Sequence, residues 1–300
     1  MKDYFNFYAS FLKRFLKLRR PMRVVFDCSN GATALVIKKL RNYVIGKLEV
    51  ILINDKIDGN FPAHGPNPME RGAMSDLRLA VRKHKADLGV IFDGDGDRVF
   101  FADNAGRPVA ADIVIAFIGK NYKGPAIVDT RIGYLGRELL KKAGKKIFDS
   151  RVGHYFIKIL MKQKKVNFAG ELSGHYYFHF AKDDYYADSG IFAAIQFINA
   201  VSRLGSGLAE WIDAFPRYYN SGELNFRVRD KQKITRRVER VYENQARKIS
   251  HLDGLKMEFD DWWFNLRPSN TENLLRLNLE AKDKDVFRQR LPEIKRLLLG

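Results

Sequence analysis

The sequence predicts an α/β protein: two similar mixed α/β domains followed by a small α+β domain. Three observations predict it. Short apolar runs alternate with helical spacing through residues 1–121. The same alternation restarts after a break at Gly124-Pro125 and fills residues 122–220. After Ser221-Gly222 the texture changes, and residues 221–300 read as strands in succession flanked by helices.

In the first domain, residues 4–20 mix Phe, Leu, Lys and Arg at the spacing of an amphipathic helix. An apolar run at 22–28 reads as a strand, ended by the turn residues Ser29-Asn30-Gly31. A helix near 32–40 and a strand at 48–53 follow. Residues 58–68 are rich in Gly, Pro, Asn and His, which is a loop composition. Residues 73–84 read as a helix, and 88–92 as a short apolar strand running into an acidic loop. Such alternation builds a mostly parallel sheet.

In the second domain, 126–129 and 147–150 read as strands, and 136–142 and 155–162 as helices. Residues 168–169 lead into another polar loop, and 190–202 form a long apolar helix. In the third, a strand at 223–228 precedes a charged helix near 233–249. Strands at 255–259, 262–266 and 274–280 and a closing helix at 286–298 complete it.

Composition narrows the function. With 300 residues, 46% of them hydrophobic, the chain can bury two or three cores. It holds no apolar run of the ~18 residues a membrane span needs, and its N-terminus lacks the apolar core and cleavage site of a signal peptide. A cytoplasmic protein with no membrane partner is expected. Cys28 is the single cysteine, so neither an internal disulfide nor a thiolate cage is available. Its apolar setting, Val24-Val25-Phe26-Asp27-Cys28, predicts a buried, inert thiol. The net charge of +18 fits a lysine-rich soluble surface, a nucleic acid partner or an anionic substrate. The basic residues are spread along the chain and carry no nucleic-acid motif, so no nucleic acid is expected. A phosphorylated small molecule fits the charge equally well.

The most informative string is Asp93-Gly94-Asp95-Gly96-Asp97-Arg98. Three carboxylates at alternate positions of an extended chain point the same way and repel. A divalent cation resolves that repulsion, and an all-carboxylate set suits magnesium or manganese. The glycines let the backbone curl so that the carboxylates converge. An EF-hand would need Gly at position 6 and Glu at position 12, where Arg98 and Asn104 stand. An aspartyl phosphatase loop would need a hydroxyl residue close behind, where Arg98 stands. The remaining alternative is a solvated acidic turn.

Other strings carry chemistry of their own. Gly170-Glu171-Leu172-Ser173-Gly174-His175 alternates Glu171, Ser173 and His175, so the three can face one side and meet sugar hydroxyls. A surface turn with a capping Ser, or a buried structural His175, is the plainer reading. Arg267-Pro268-Ser269-Asn270-Thr271-Glu272 offers a guanidinium fork, hydroxyls and backbone N–H groups, an anion cradle to which Arg276 adds a second charge. An Asn-containing turn between two strands is the alternative there.

Together with Asp58-Gly59-Asn60-Phe61-Pro62 and Pro66-Asn67-Pro68, these segments resemble, in order, the loops of the α-D-phosphohexomutases, the phosphoglucomutase and phosphomannomutase family. The resemblance covers the family's domains two to four. It implies Mg2+, with Mn2+ as a substitute, on Asp93, Asp95 and Asp97, and Arg98 orienting the transferring phosphoryl group. It implies Glu171, Ser173 and His175 on sugar hydroxyls, and Arg267, Ser269, Asn270 and Thr271 on the non-transferring phosphate. Arg131, Gly153 and His154 fall where the family places basic and histidine residues around the sugar; a surface place at a helix start is the alternative for Arg131. The implied reaction is phosphoryl transfer between the 1- and 6-positions of a glucose or mannose phosphate through a hexose 1,6-bisphosphate.

The family's catalytic centre is a phosphoserine in a Thr-Ala-Ser-His-Asn-Pro-like string of its first domain. None of this chain's serines stands in such a string. The expectation is therefore a mutase without its first domain, incomplete on its own. It would be a non-catalytic sugar-phosphate-binding remnant, a truncated product, or one part of a split mutase whose first domain another chain supplies. A domain face left bare would favour self-association.

Overall fold

The computed structural model describes residues 3–269 and 272–299. Helix α1 (Tyr4–Lys13) leads into β1 (Met22–Asp27), α2 (Thr33–Tyr43), β2 (Leu48–Ile53), α3 (Ser75–His84), β3 (Leu88–Phe92), β4 (Val99–Ala102), β5 (Pro108–Val109) and α4 (Ala111–Gly119). The first sheet has the order β2-β1-β3-β4-β5. β1 pairs in parallel with β2 and β3, while β3–β4 and β4–β5 are antiparallel. The antiparallel half follows from the chain length: six residues, 93–98, join β3 to β4, too few for a parallel crossover.

The second unit repeats the first. It contains β6 (Ala126–Asp129), α5 (Tyr134–Lys142), β7 (Ile147–Ser150), α6 (His154–Lys164), β8 (Phe168–Gly170), β9 (Tyr176–Phe180), β10 (Tyr185–Asp188), α7 (Gly190–Val201) and α8 (Leu208–Asp213). Its order, β10-β9-β8-β6-β7, is the first sheet's order strand for strand, with the same parallel and antiparallel pairings. The acidic loop follows β3, and the Glu171–His175 turn follows β8. The two loops thus occupy the same topological position.

The two units share one core. Helix α4 packs on the second sheet, where Ile115 meets Gly170 and Phe168 meets Gly119. Helix α7 reaches back to the first, with Phe197 4.5 Å from Phe101. The long helix expected at 4–20 stops at Lys13. Beyond it the chain is captured by α7: Lys17 N–H donates to Asn199 Oδ1 and Arg19 N–H to Ser202 Oγ. Cys28 is buried, and burial pushes its thiol up to about 12.

The last unit holds β11 (Tyr219–Asn220), β12 (Leu224–Arg227), α9 (Lys231–Tyr242), β13 (Lys248–Ser250), β14 (Leu255–Glu258), β15 (Trp262–Pro268), β16 (Leu274–Ala281) and α10 (Lys284–Leu299). All its pairings are antiparallel, in the order β11-β16-β15-β14-β13 with β12 also on β16. Its core is separate. The helix expected to 249 ends at Tyr242, the last residue of its Ile234, Val238, Tyr242 stripe. Past it, Arg247 N–H bonds Glu258 O and the chain joins the sheet as β13. Among the described residues no helix is long and apolar enough to cross a membrane.

Candidate functional site

The acidic loop is a tight turn rather than an extended chain. Asp93 closes it: Oδ1 accepts from Gly96 N–H at 3.0 Å and Arg98 N–H at 3.1 Å, and Asp93 N–H reaches Arg98 O. Gly96 supplies the positive φ, 82°, that the turn needs. Arg98 Nε donates to Asp93 Oδ2 at 2.7 Å, and Nη1 to Asn67 Oδ1 at 3.3 Å. The Pro66-Asn67-Pro68 segment also receives Gly94 N–H on Pro66 O. Below the turn, Asp27 at the end of β1 bonds Ser29 N–H, Asn54 and His64, which ties the 58–68 loop to the strand. The bond to Asp27 holds the His64 imidazole above its usual range.

The carboxylates of Asp93, Asp95 and Asp97 converge, each with an oxygen within 4.8 Å of the others. Asp93 is buried, Asp97 half-buried and Asp95 exposed. Partial burial pushes the Asp97 carboxyl above its ordinary range; His175 opposes this, and Asp93 and Asp95 add to it. A hard-oxygen cluster of like charges open to solvent on one side fits Mg2+ or Mn2+. Asp97 also lies with His175 and Asp188 in a second such group.

The Glu171–His175 loop is likewise a turn. Glu171 N–H bonds His175 O and Gly174 N–H bonds Glu171 O, so Glu171, Ser173 and His175 converge by folding back rather than by alternation. Ser173 Oγ lies 3.0 Å from His175 Nδ1. His175 Nε2 lies 3.4 Å from Asp97 Oδ2, joining this loop to the acidic one. Glu171 itself is 1% exposed. Its oxygens accept from Gly153 N–H at 2.7 Å and Tyr177 Oη–H at 2.5 Å. Burial, then Glu171, raise the Tyr177 phenol so that it stays the donor. Gly153, at φ 120°, brings the start of α6 to this carboxylate; His154 opens the helix and is exposed.

Arg131 is buried rather than a surface helix-start residue. It forks onto Asp129, Nε to Oδ1 at 3.1 Å and Nη2 to Oδ2 at 2.9 Å. Burial opposes the Asp129 charge, but Arg131 and the N–H groups around it keep its carboxyl below its ordinary range. Asp129 Oδ2 also receives Leu172 N–H from the Glu171–His175 loop at 2.8 Å. The third arm of Arg131 reaches Glu223 at 3.1 Å, and Glu223 bonds Arg267 and Arg276 on β15 and β16. Ser269 N–H bonds Leu274 O, and Lys231 Nζ donates to both Ser269 O and Glu272 O, bracing the loop from α9. Asn270 and Thr271 lie outside the described residues.

The structure therefore strings most of the expected residues into one polar strip. It runs from the acidic loop through His175 and the Glu171 turn to Asp129, Arg131, Glu223 and the two C-terminal arginines. Sequence reasoning missed Asp129, Glu223, Lys231 and Tyr177. Asp129 alone left a signal, as the last residue of a strand that repeats β1, whose own last residue is Asp27.

Comparison with known proteins gives the strip a family. Residues 2–106, 110–219 and 223–297 match the models of phosphoglucomutase/phosphomannomutase alpha/beta/alpha domain II, alpha/beta/alpha domain III and the C-terminal domain. A phosphomannomutase of Methanocaldococcus jannaschii is 38% identical over 300 residues, covering 98% of this chain and 65% of the relative. A phosphomannomutase of Escherichia coli K12 is 34% identical, covering 87% of this chain and 59% of the relative. A crystal structure of a phosphoglucomutase/phosphomannomutase family protein from Burkholderia thailandensis superposes with a TM-score of 0.86 at 24% identity, over 99% of this chain and 64% of the other. An Aspergillus fumigatus N-acetylphosphoglucosamine mutase, solved with GlcNAc-6P and magnesium, gives 0.72 at 14% identity, over 98% of this chain and 64% of the other. At those identities the two structures speak for the fold alone. The chain spans about 65% of the first relative's length, and it belongs to the phosphoglucomutase/phosphomannomutase family.

Proposed function

We propose that this chain supplies the metal-, sugar- and phosphate-holding parts of a phosphohexomutase, and that the whole protein moves a phosphoryl group between the 1- and 6-positions of a hexose phosphate. Mannose phosphate is the first substrate to test and glucose phosphate the second, with a hexose 1,6-bisphosphate as intermediate. The observation that carries this reading is the polar strip. A carboxylate cluster, a hydroxyl-and-imidazole turn and an arginine cluster lie joined by direct contacts, the order in which a hexose 1,6-bisphosphate would present its transferring group, its ring and its second phosphate.

Asp93, Asp95 and Asp97 would hold Mg2+ or Mn2+, which supplies charge stabilisation to phosphoryl transfer when bound. Arg98, fixed by Asp93 and Asn67, keeps a guanidinium beside the transferring group. Ser173 and His175 present a hydroxyl and an imidazole to the sugar. Glu171, with both oxygens committed inside the fold, holds that turn and Gly153 in place. Arg267, Arg276 and the 269–271 loop take the non-transferring phosphate, and Arg131 stands where the phosphate and sugar parts meet. His154, exposed beside Gly153, lines the sugar side.

The test is a coupled mutase assay on the purified chain with mannose 1-phosphate, Mg2+ and a trace of mannose 1,6-bisphosphate. Calorimetric titration of the same ligand runs beside it. Binding without turnover by this chain alone is the expected result. Turnover abolished by Asp95→Asn would mean that the chain carries a phosphoryl carrier of its own, and absence of both binding and turnover would overturn the reading.

A further inference from the structure

The arginine cluster between the second and third units already holds an anion, and the chain itself provides it. Glu223 lies on the segment between β11 and β12, next to Gly222 with its φ of 61°. Glu223 Oε2 accepts from Arg131 Nη1 at 3.1 Å and Arg267 Nη2 at 3.4 Å, and Oε1 from Arg276 Nη1 at 3.3 Å. One carboxylate thus bonds three guanidinium groups drawn from two units.

The fit is loose. Charge-assisted N–H···O contacts usually fall at about 2.7–2.9 Å, as Arg98 achieves on Asp93 at 2.7 Å. Two oxygens spread over three guanidinium groups bring none to that distance. The Nε atoms of Arg267 and Arg276 are buried and, among the described residues, have no hydrogen-bond partner. Asp253, 3.9 Å from the first, is too far to serve. Each guanidinium carries five donors, and a carboxylate offers about four acceptor sites. Donors therefore remain in excess even after Asp129 takes its share of Arg131. A tetrahedral anion, with more oxygens set further apart, matches this cluster better than Glu223 does. The Glu223 side chain is 23% exposed, so it has an exit to solvent beside the Gly222 turn.

We propose that Glu223 is the resting occupant of the phosphate site, neutralising Arg131, Arg267 and Arg276 until a phosphate monoester displaces it. This rests on the reading that the Arg267 loop takes a phosphate, and it adds a rival built into the β11–β12 segment of the last unit. Arrival of phosphate then also breaks the Arg131–Glu223 tie between the second and third units. The opposing role is a brace, in which Glu223 holds the guanidinium groups ready for phosphate. The two roles predict opposite signs for one isosteric change.

Calorimetric titration with inorganic phosphate separates them. Glu223→Gln keeps the shape and loses the charge; it is expected to bind phosphate about tenfold tighter than wild type, the scale of a lost charge-assisted contact. Equal or weaker binding overturns the proposal. Wild type gives a second readout that needs no variant: saturating phosphate is expected to speed hydrogen–deuterium exchange across residues 219–224, and slowed or unchanged exchange overturns the proposal too. Mannose 1-phosphate with Arg267→Ala distinguishes the two levels. Loss of binding there, with Glu223→Gln no tighter, leaves the phosphate site standing and removes only the rival. No effect of Arg267→Ala removes the site reading and the rival together.

Discussion

Arg98 and His175 face each other in an isolated antiparallel bridge, and each is the residue that enters the fourth strand of its own sheet. Val99 N–H extends the contact to Gly174 O at 3.0 Å. Because the two sheets share one topology, the loop after β3 and the loop after β8 are counterparts, and this bridge sets them side by side. The carboxylates of one loop and the imidazole of the other are adjacent because the fold repeats. The strand-end carboxylates repeat as well: Asp27 and Asp129 are both buried, and each accepts the N–H two residues on.

The rigidity of the acidic loop can be tested without touching a carboxylate. Gly31 lies against it so closely that a Cβ there would stand 2.3 Å from Gly94 O. That atom is backbone and also accepts Ala32 N–H, so it has little room to yield. Gly31→Ala is expected to push the loop outward and weaken Mn2+ binding by about 10–100-fold, the range seen when groups behind metal ligands are lost. Mn2+ titration by electron paramagnetic resonance, with circular dichroism to confirm folding, reads it. Unchanged affinity in a folded variant would mean the carboxylates find the metal without the turn.

The fold was legible where short apolar runs are fenced by turn residues. The spans 48–53, 88–92, 126–129 and 147–150 coincide with β2, β3, β6 and β7. Helix α4 was not legible, since nearly every residue of Ala-Asp-Ile-Val-Ile-Ala-Phe-Ile-Gly is buried and no polar face marks a period. Strands β4 and β9 were hidden because each begins directly after a motif read as a loop. In the site, residues carrying chemistry in strings could be named from sequence. Their geometry could not: alternation suggested extended chain for both loops, whereas Asp93 accepting backbone N–H groups folds the first into a turn and backbone hydrogen bonds between Glu171, Gly174 and His175 fold the second. Glu223 left no trace, because it meets Arg131 from 92 residues away.

The junction between the second and third units should respond to pH through Glu280. This carboxylate on β16 accepts from Tyr134 N–H at the start of α5 and from Trp263 Nε1. Burial pushes it up from 4.5 to about 7, against those two hydrogen bonds. A raised folded value means the folded state holds the proton longer than the unfolded chain. The contribution to stability is therefore full below pH 4.5 and is lost as pH rises through about 7. The loss is on the order of 3 kcal/mol. Nearby Lys256, lowered by burial and then by Arg137 to about 8, acts in a higher window, losing stability as pH falls from 10.5 through 8. Urea unfolding at pH 5 and pH 8 should show Glu280→Gln gaining relative to wild type at the higher pH. A constant difference between the two would sink the assignment.

Arg131 offers the sharpest separation between the two ends of the strip. Its guanidinium spends two arms on Asp129 and one on Glu223, and Asp129 in turn holds Leu172 N–H. A lysine keeps the charge but is a single point, unable to fork onto one carboxylate and reach another. Arg131→Lys should therefore leave buried Asp129 short of donor partners and cost about 1–3 kcal/mol in urea unfolding. It should also loosen the Leu172 turn, weakening mannose 1-phosphate binding by about tenfold or more. The acidic loop is held by Asp93, Asn67 and Pro66, none of which touches Arg131, so Mn2+ affinity should not move. If Mn2+ binding fell in parallel with sugar-phosphate binding, the strip would be one cooperative unit, and the division of labour between its metal end and its phosphate end would be wrong.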